Sequence, residues 1–205
     1  MWIEVIDAAG KTAIYDDSII LDSKAPVGKI TISGGEIYTT TNTVSIDLEY
    51  MDATGGVIEL RYREDGTTSW TVLSIGTVNA GSYGTVTILT GGDGTRTVYY
   101  QLKDVVGWES GTITDTIILD TEIPYATFTI NYDATYTTQL RVTLTQFEYH
   151  DATSKINQIR FRNAVDNNWT TWQDIVDITV WDISAVEGVG ETRPVYMQIN
   201  GCSSI

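Results

Sequence analysis

"DTIILDTEIP" at residues 115–124 repeats, almost letter for letter, "DSIILDSKAP" at residues 17–26, an interval of 98 residues from position 17 to position 115. Self-similarity at a fixed period decides the organisation of a chain before any local reading does. The match continues past each proline. "VGKITISGGEIYTTTNTVSIDLEYMDATG" from Val27 faces "YATFTINYDATYTTQLRVTLTQFEYHDATS" from Tyr125, and "IELRYREDGTTSW", ending at Trp70, faces "NQIRFRNAVDNNW", ending at Trp169. "TVYYQLKD", ending at Asp104, faces "PVYMQING", ending at Gly201. The 205 residues thus read as a segment 1–25, a first repeat 26–124 and a second repeat 125–205.

The local pattern is that of strands. In "TNTVSIDLEY", Val44, Ile46 and Leu48 alternate with Ser45, Asp47 and Glu49, the period of two that puts one face on a core and the other in water. "VTLTQFEY" from Val142 repeats the device, and "IELRYRE" and "QIRFRN" set Arg61, Arg63, Arg160 and Arg162 on a polar side. Between these runs lie Gly-, Asp-, Asn- and Thr-rich stretches such as "REDGTTSW" and "LTGGDGTR". They read as turns, because Gly accepts positive φ and Asp or Asn bonds its own backbone. No stretch of about 12 residues keeps a helical period with caps at both ends. The expectation is an all-β chain of two tandem sandwiches, each repeat supplying about seven short antiparallel strands.

The ordered series "DTIILDTEIP", "MDATGGV", "RYREDGTTSW" and "GGDGTRTVYYQLKDVVG", followed by a second cycle, resembles the tandem immunoglobulin-like or fibronectin-type-III-like repeats of bacterial and archaeal cell-surface proteins. The resemblance covers the whole chain. It implies a sandwich module used as a spacer or adhesive stalk, without catalysis and outside the cell; a virus or phage fibre has the same features. The second repeat departs from the pattern, with "NAVDNNWTTW" in place of the Asp-Gly turn and "INGCSSI" in place of "LKDVVGWES".

Alignment of the repeats places an opening strand near residues 29–32, a sixth strand at 98–103 and a seventh at 112–119. Residues 1–22 align with the sixth and seventh strands alone, and the second repeat stops at its sixth. The second immunoglobulin-like sandwich is therefore expected to lack its last strand, while the amino-terminal segment offers a free donor strand carrying Ile14, Ile19, Ile20 and Leu21. An unpaired edge is a liability that proteins cover, and burial of each such side chain contributes roughly 1.5–3 kcal/mol. The expected acceptor edge is Val195, Tyr196, Met197, Gln198 and Ile199. Donation from one copy to the next builds an open-ended head-to-tail homopolymer. The alternative is a piece of a longer tandem-repeat adhesin or stalk.

In this topology the start of a module, the loop after its second strand and the loop after its sixth share one end. There the first repeat gathers Asp22, Asp52 and Asp104, a carboxylate set suited to Ca²⁺. The second offers Asp120 and Asp151 with Gly201 at the third position, which Asp7 of a neighbouring copy is placed to fill. The alternative is that these aspartates only form turns and no cofactor is bound.

Composition narrows the partners. With 27 acidic against 12 basic residues the formal charge is −15, no basic stripe is present for nucleic acid, and no apolar run reaches the length needed for membrane insertion. No signal peptide stands at Met1. A single cysteine, Cys202, excludes an internal disulfide, and the single histidine, His150, has no second histidine or cysteine to share a metal. No nucleophile elbow, phosphate-binding glycine loop or HExxH is present, so nothing nominates an enzyme. A carbohydrate-binding module is the rival of a different class, with Trp172 and Trp181, which lack tryptophan counterparts in the first repeat, as possible stacking platforms for surface glycans. "NWT" at residues 168–170 matches an N-glycosylation acceptor.

Overall fold

In the computed structural model, residues 1–166, 168–176, 179–184 and 191–201 are described. Among them the chain is all-β, without an α-helix, and no helix is long and apolar enough to cross a membrane. Sixteen strands occur in the order β1 (Trp2–Ile6), β2 (Thr12–Asp16), β3 (Val27–Ile32), β4 (Tyr38–Thr39), β5 (Thr43–Met51), β6 (Val57–Glu64), β7 (Thr71–Val78), β8 (Ala80–Ile88), β9 (Gly94–Asp104), β10 (Ile113–Leu119), β11 (Tyr125–Ile130), β12 (Arg141–His150), β13 (Ile156–Asn163), β14 (Gln173–Asp174), β15 (Thr179–Asp182) and β16 (Val195–Gly201). Contacts group them into two compact units, one of Met1–Gly35, Thr43–Thr90 and Thr97–Thr116, the other of Glu36–Asn42, Gly91–Arg96 and Ile117–Ile205.

The period-two pattern does what it promises. Along β5, Val44, Ile46, Leu48 and Tyr50 are buried while every residue between them is exposed. On β9, Val98, Tyr100, Leu102 and Asp104 are buried in the same alternation. Two sheets result, the antiparallel β3-β5-β8 and the larger, mixed β4-β10-β9-β6-β7. Gly28 marks where β3 comes closest to its neighbours, since a Cβ there would stand 2.5 Å from the Glu49 carbonyl and 2.9 Å from Leu102. β4 was not anticipated. Its two residues pair parallel to β10, Tyr38 with Ile118 and Thr39 with Leu119, too short a run to show a period.

The second repeat forms β11-β12-β15 and β14-β13-β16, three strands each. Its core draws Val142 and Leu144 from the first of these sheets and Ile159 and Phe161 from the second, with Ile183 beside them. Phe161 contacts Phe128, Phe147 and Trp181 at centroid distances of 6.0, 6.0 and 5.6 Å. "VTLTQFEY" is one residue longer than "VSIDLEY". Gln146 absorbs the extra residue at φ 52°, and the β11–β12 register shifts between Thr127 and Thr129, as a bulge requires.

By repeat position β13 matches β6, β14 matches β7 and β16 matches β9. Among the described residues β16 stands at the edge of its sheet, and none of the second repeat occupies the place of β10. Tyr136 and Thr137, at the position of β4, are in no strand, and Tyr136 is 90 % exposed. Cys202 lies outside the described residues.

At the amino terminus β1 and β2 form an antiparallel hairpin. Residues 17–26 are in no strand, because an extended segment without a partner has no ladder to hold it.

Candidate functional site

The turn after β5 shows why "DATGG" is written as it is. Asp52 Oδ1 accepts the backbone N–H groups of Thr54 at 2.9 Å, Gly55 at 2.8 Å and Gly56 at 3.0 Å, and Gly56 takes φ 80°. The turn after β9, "DVVGW", repeats the arrangement: Asp104 Oδ1 accepts from Val106 at 3.0 Å, Gly107 at 2.8 Å and Trp108 at 2.8 Å. Asp22 Oδ1 accepts from Lys24 at 3.1 Å just before β3.

These three turns bring one carboxylate oxygen from each of Asp22, Asp52 and Asp104 within 4.8 Å of one another. Asp104 is 0 % exposed and Asp52 5 %, and Asp22 is half-buried. Oδ2 of all three is buried without a hydrogen-bond partner. The ion pairs among the described residues, Lys29–Glu49 and Arg61–Glu109, do not touch them. The N–H of Thr54 holds the Asp52 carboxyl below its ordinary pKa against the burial that raises it, and Gly56 and Gly55 add to the lowering. Two carboxylate charges no more than 4.8 Å apart repel by at least about 3.5 kcal/mol at an effective dielectric of about 20. The cluster therefore carries a strong like-charge cost, and no ion pair among the described residues balances it.

Asp120 and Asp151 are not brought into such a group, although each makes the same kind of turn, to Glu122 at 3.3 Å and to Thr153 and Ser154 at 3.0 and 2.6 Å. The repeat explains the difference. An added Cβ at Gly55 would lie 2.5 Å from Asp22 Oδ2, and the second repeat has Ser154 there, with Gly201 in place of Asp104.

Asp7 belongs to the β1–β2 turn, a copy of the turn after β9. Asp7 N–H donates to Lys11 O and Gly10 N–H to Asp7 O, as Asp104 N–H does to Trp108 O and Gly107 N–H to Asp104 O. Asp7 Oδ1 accepts from Ala9 and Lys11, and the Ile6–Thr12 pair matches the Lys103–Glu109 bridge.

The hairpin and the segment after it nevertheless expose what the first repeat buries. Ile19 and Leu21 are 96 % and 85 % exposed, whereas Ile117 and Leu119, their repeat partners, are 1 % and 2 % exposed. Ile14 and Ile20 are exposed as well. Along β16, Val195, Met197 and Ile199 are only half-buried, where Val98, Tyr100 and Leu102 are buried; Tyr196 and Gln198 face solvent.

The tryptophans serve a different pattern. Trp70 has the guanidinium groups of Arg61 and Arg63 at 5.2 and 5.3 Å from its ring centre, and Trp169 has those of Arg160 and Arg162 at 5.2 and 5.1 Å. Such cation–π stacks add about 0.5–1 kcal/mol each where exposed. The repeated R-x-R followed seven residues later by Trp was the readable signal for them. Trp172 is half-buried with Arg160 at 4.3 Å from its ring centre. Trp181, also half-buried, packs against the core at Phe161 and donates Nε1–H to Asn163 Oδ1 at 2.6 Å. His150 is the exposed last residue of β12, and Asn168 is exposed in no strand.

No protein-family model matches the chain, and no curated protein matches it at a significant level.

Proposed function

We propose that the chain is a structural, non-catalytic length of immunoglobulin-like β-sandwiches in a linear extracellular assembly, and that residues 1–21 close a module other than the first repeat. The observation that carries this is the contrast between Ile19 and Leu21, exposed, and Ile117 and Leu119, buried, in nearly identical sequence. A segment that holds Ile19, Ile20 and Leu21 in the open becomes a stable strand only when another sheet receives it.

The acceptor that fits within this sequence is the second repeat of another copy. It offers β16, an edge strand among the described residues, half-buried side chains at Val195, Met197 and Ile199, and Tyr136 uncovered where Tyr38 pairs with β10. In the first repeat Asp115 Oδ2 accepts the Ile32 N–H at 2.8 Å. Asp17 and Ile130 hold the same repeat positions, so a donated strand brings its own register mark. Such donation is head to tail and open-ended.

One observation favours a second reading. β1 and its turn reproduce β9 as β2 reproduces the start of β10, yet the second repeat already has β16 in the place of β9. A hairpin of both strands fits a whole preceding module in a tandem surface array, whether of a cell, a virus or a phage. Mass by light scattering, with hydrogen exchange at residues 17–21, tests both. Large assemblies that the double change Ile19→Asp, Leu21→Asp reduces to monomers support donation. A monomer whose residues 17–21 exchange freely supports the tandem array. A monomer with those amides protected refutes the proposal, because the segment then packs on its own chain.

A further inference from the structure

Three turns each spend one carboxylate oxygen on backbone N–H groups and leave the other, Oδ2, buried and without a partner, at Asp22, Asp52 and Asp104. Turn formation accounts for the first oxygen only. A carboxylate wanted solely as a turn former has no reason to aim its second oxygen into a shared buried space with two others, since desolvated like charges oppose folding. From this we infer that Asp22, Asp52 and Asp104 hold one divalent cation of the calcium class. The inference stands apart from what covers residues 17–21, because all three ligands belong to the same compact unit.

The donor chemistry selects the ion. All three ligands are hard oxygens, with no sulfur or imidazole to favour zinc or copper. Donor oxygens within 4.8 Å of one another can share one ion with bonds of about 2.4 Å, as in calcium sites, and carboxylates carried on three separate turns suit its adaptable geometry better than the near-ideal octahedron that magnesium demands. Water fills the remaining positions of an ion that takes six to eight oxygens. Gly55 makes the space, because any side chain there meets the Asp22 carboxylate. The second repeat has Ser154 and Gly201 at the positions of Gly55 and Asp104, so one ion is expected per chain rather than two. The bound ion ties Asp22, in the segment that leads into β3, to the turns after β5 and β9, and so fixes the point from which residues 17–21 depart.

The test is calorimetric titration of the full chain with Ca²⁺ after chelation, beside thermal melting. One ion per chain is expected, with Kd of about 10⁻⁴–10⁻³ M as in extracellular modules. Tm should rise by about 5 °C at tenfold excess over Kd and fall back on chelation. Asp104→Asn keeps an Oδ1 for the three turn N–H groups while replacing the free oxygen by an amide. It should melt at or above the wild type without Ca²⁺ and show no response to it; Gly55→Ala should also lose the response. No heat and no Tm change in the wild type, an Asp104→Asn chain that binds like the wild type, or equal affinity for Mg²⁺ would each overturn the assignment.

Discussion

Replacing Ile117 by Ala and, separately, Ile19 by Ala makes the same chemical change in the same sequence context, "IILD", and should have very different effects. Ile117 is buried in β10, so its truncation removes the transfer free energy of the lost carbons and leaves a cavity, together about 2–5 kcal/mol. Against a total stability of about 5–15 kcal/mol for a domain, that is a large fraction. Ile19 stands in solvent, where truncation changes stability by no more than about 0.5 kcal/mol. Urea unfolding of dilute, monomeric protein separates the two. With m of about 1–3 kcal/mol/M, Ile117→Ala lowers the midpoint by about 1–3 M and Ile19→Ala leaves it in place. Equal losses would refute the reasoning, since they would mean that residues 17–21 are already buried against their own chain in solution. Where assemblies form at high concentration, Ile19→Ala should weaken the assembly and Ile117→Ala the subunit.

Gly28→Ala forces a Cβ against the Glu49 carbonyl and Leu102, and should cost about 1–3 kcal/mol as overpacking does, read as a lower midpoint in the same assay. Trp181→Phe keeps a ring beside Phe161 but leaves Asn163 Oδ1 without its indole donor, for a loss of about 1–3 kcal/mol. Trp172→Ala removes one cation–π contact and should cost no more than about 1 kcal/mol; loss of glycan-array binding in that variant alone would revive a sugar-binding role. Because the Asp52 pKa is lowered in the folded state, its hydrogen bonds stabilise the fold above the ordinary value of 3.8 and that contribution is lost as pH falls through the lower folded value. Asp52→Asn should flatten this part of the acid melting profile, and an unchanged profile would contradict it.

The parts of the fold that were legible are those in which the chain repeats itself or alternates. β5 and β6 declare a period of two and keep it, and the three aspartates share an end because the strand order puts the turns that carry them there. β4 was invisible for want of length: two residues show no period, and only the neighbouring β10 gives them a partner. The bulge at Gln146 was written as one extra letter in "VTLTQFEY", although the strand that takes up the insertion is settled by packing. Glu64, buried on the inward side of β6, is held by Thr90 N–H at 2.8 Å and Thr90 Oγ1 at 2.5 Å, a pairing across 26 residues that no local pattern announces. Trp172 and Trp181 looked alike in the sequence. Only the tertiary structure sets one beside a guanidinium and the other against Phe161 of the core.

The six letters "DSIILD" join the two proposals. In "DTIILD", Ile117 and Leu119 point inward from the last strand of the first repeat, and Asp120 then leaves the strand in a turn. In "DSIILD" the same alternation would put Ile19 and Leu21 on one face once the segment pairs as a strand, and Asp22 turns into the first repeat as a candidate cation ligand. The last strand of one module and the first ligand of the next are thus adjacent residues, so strand seating and ion binding act on the same backbone. An ion held by Asp22 fixes the end of the strand and lowers the entropy lost when another sheet receives Ile19 and Leu21. The order of effects is testable: if assembly occurs, Ca²⁺ should strengthen it in the wild type and leave it unchanged in Asp104→Asn. An equal gain in both would separate the cation from the strand.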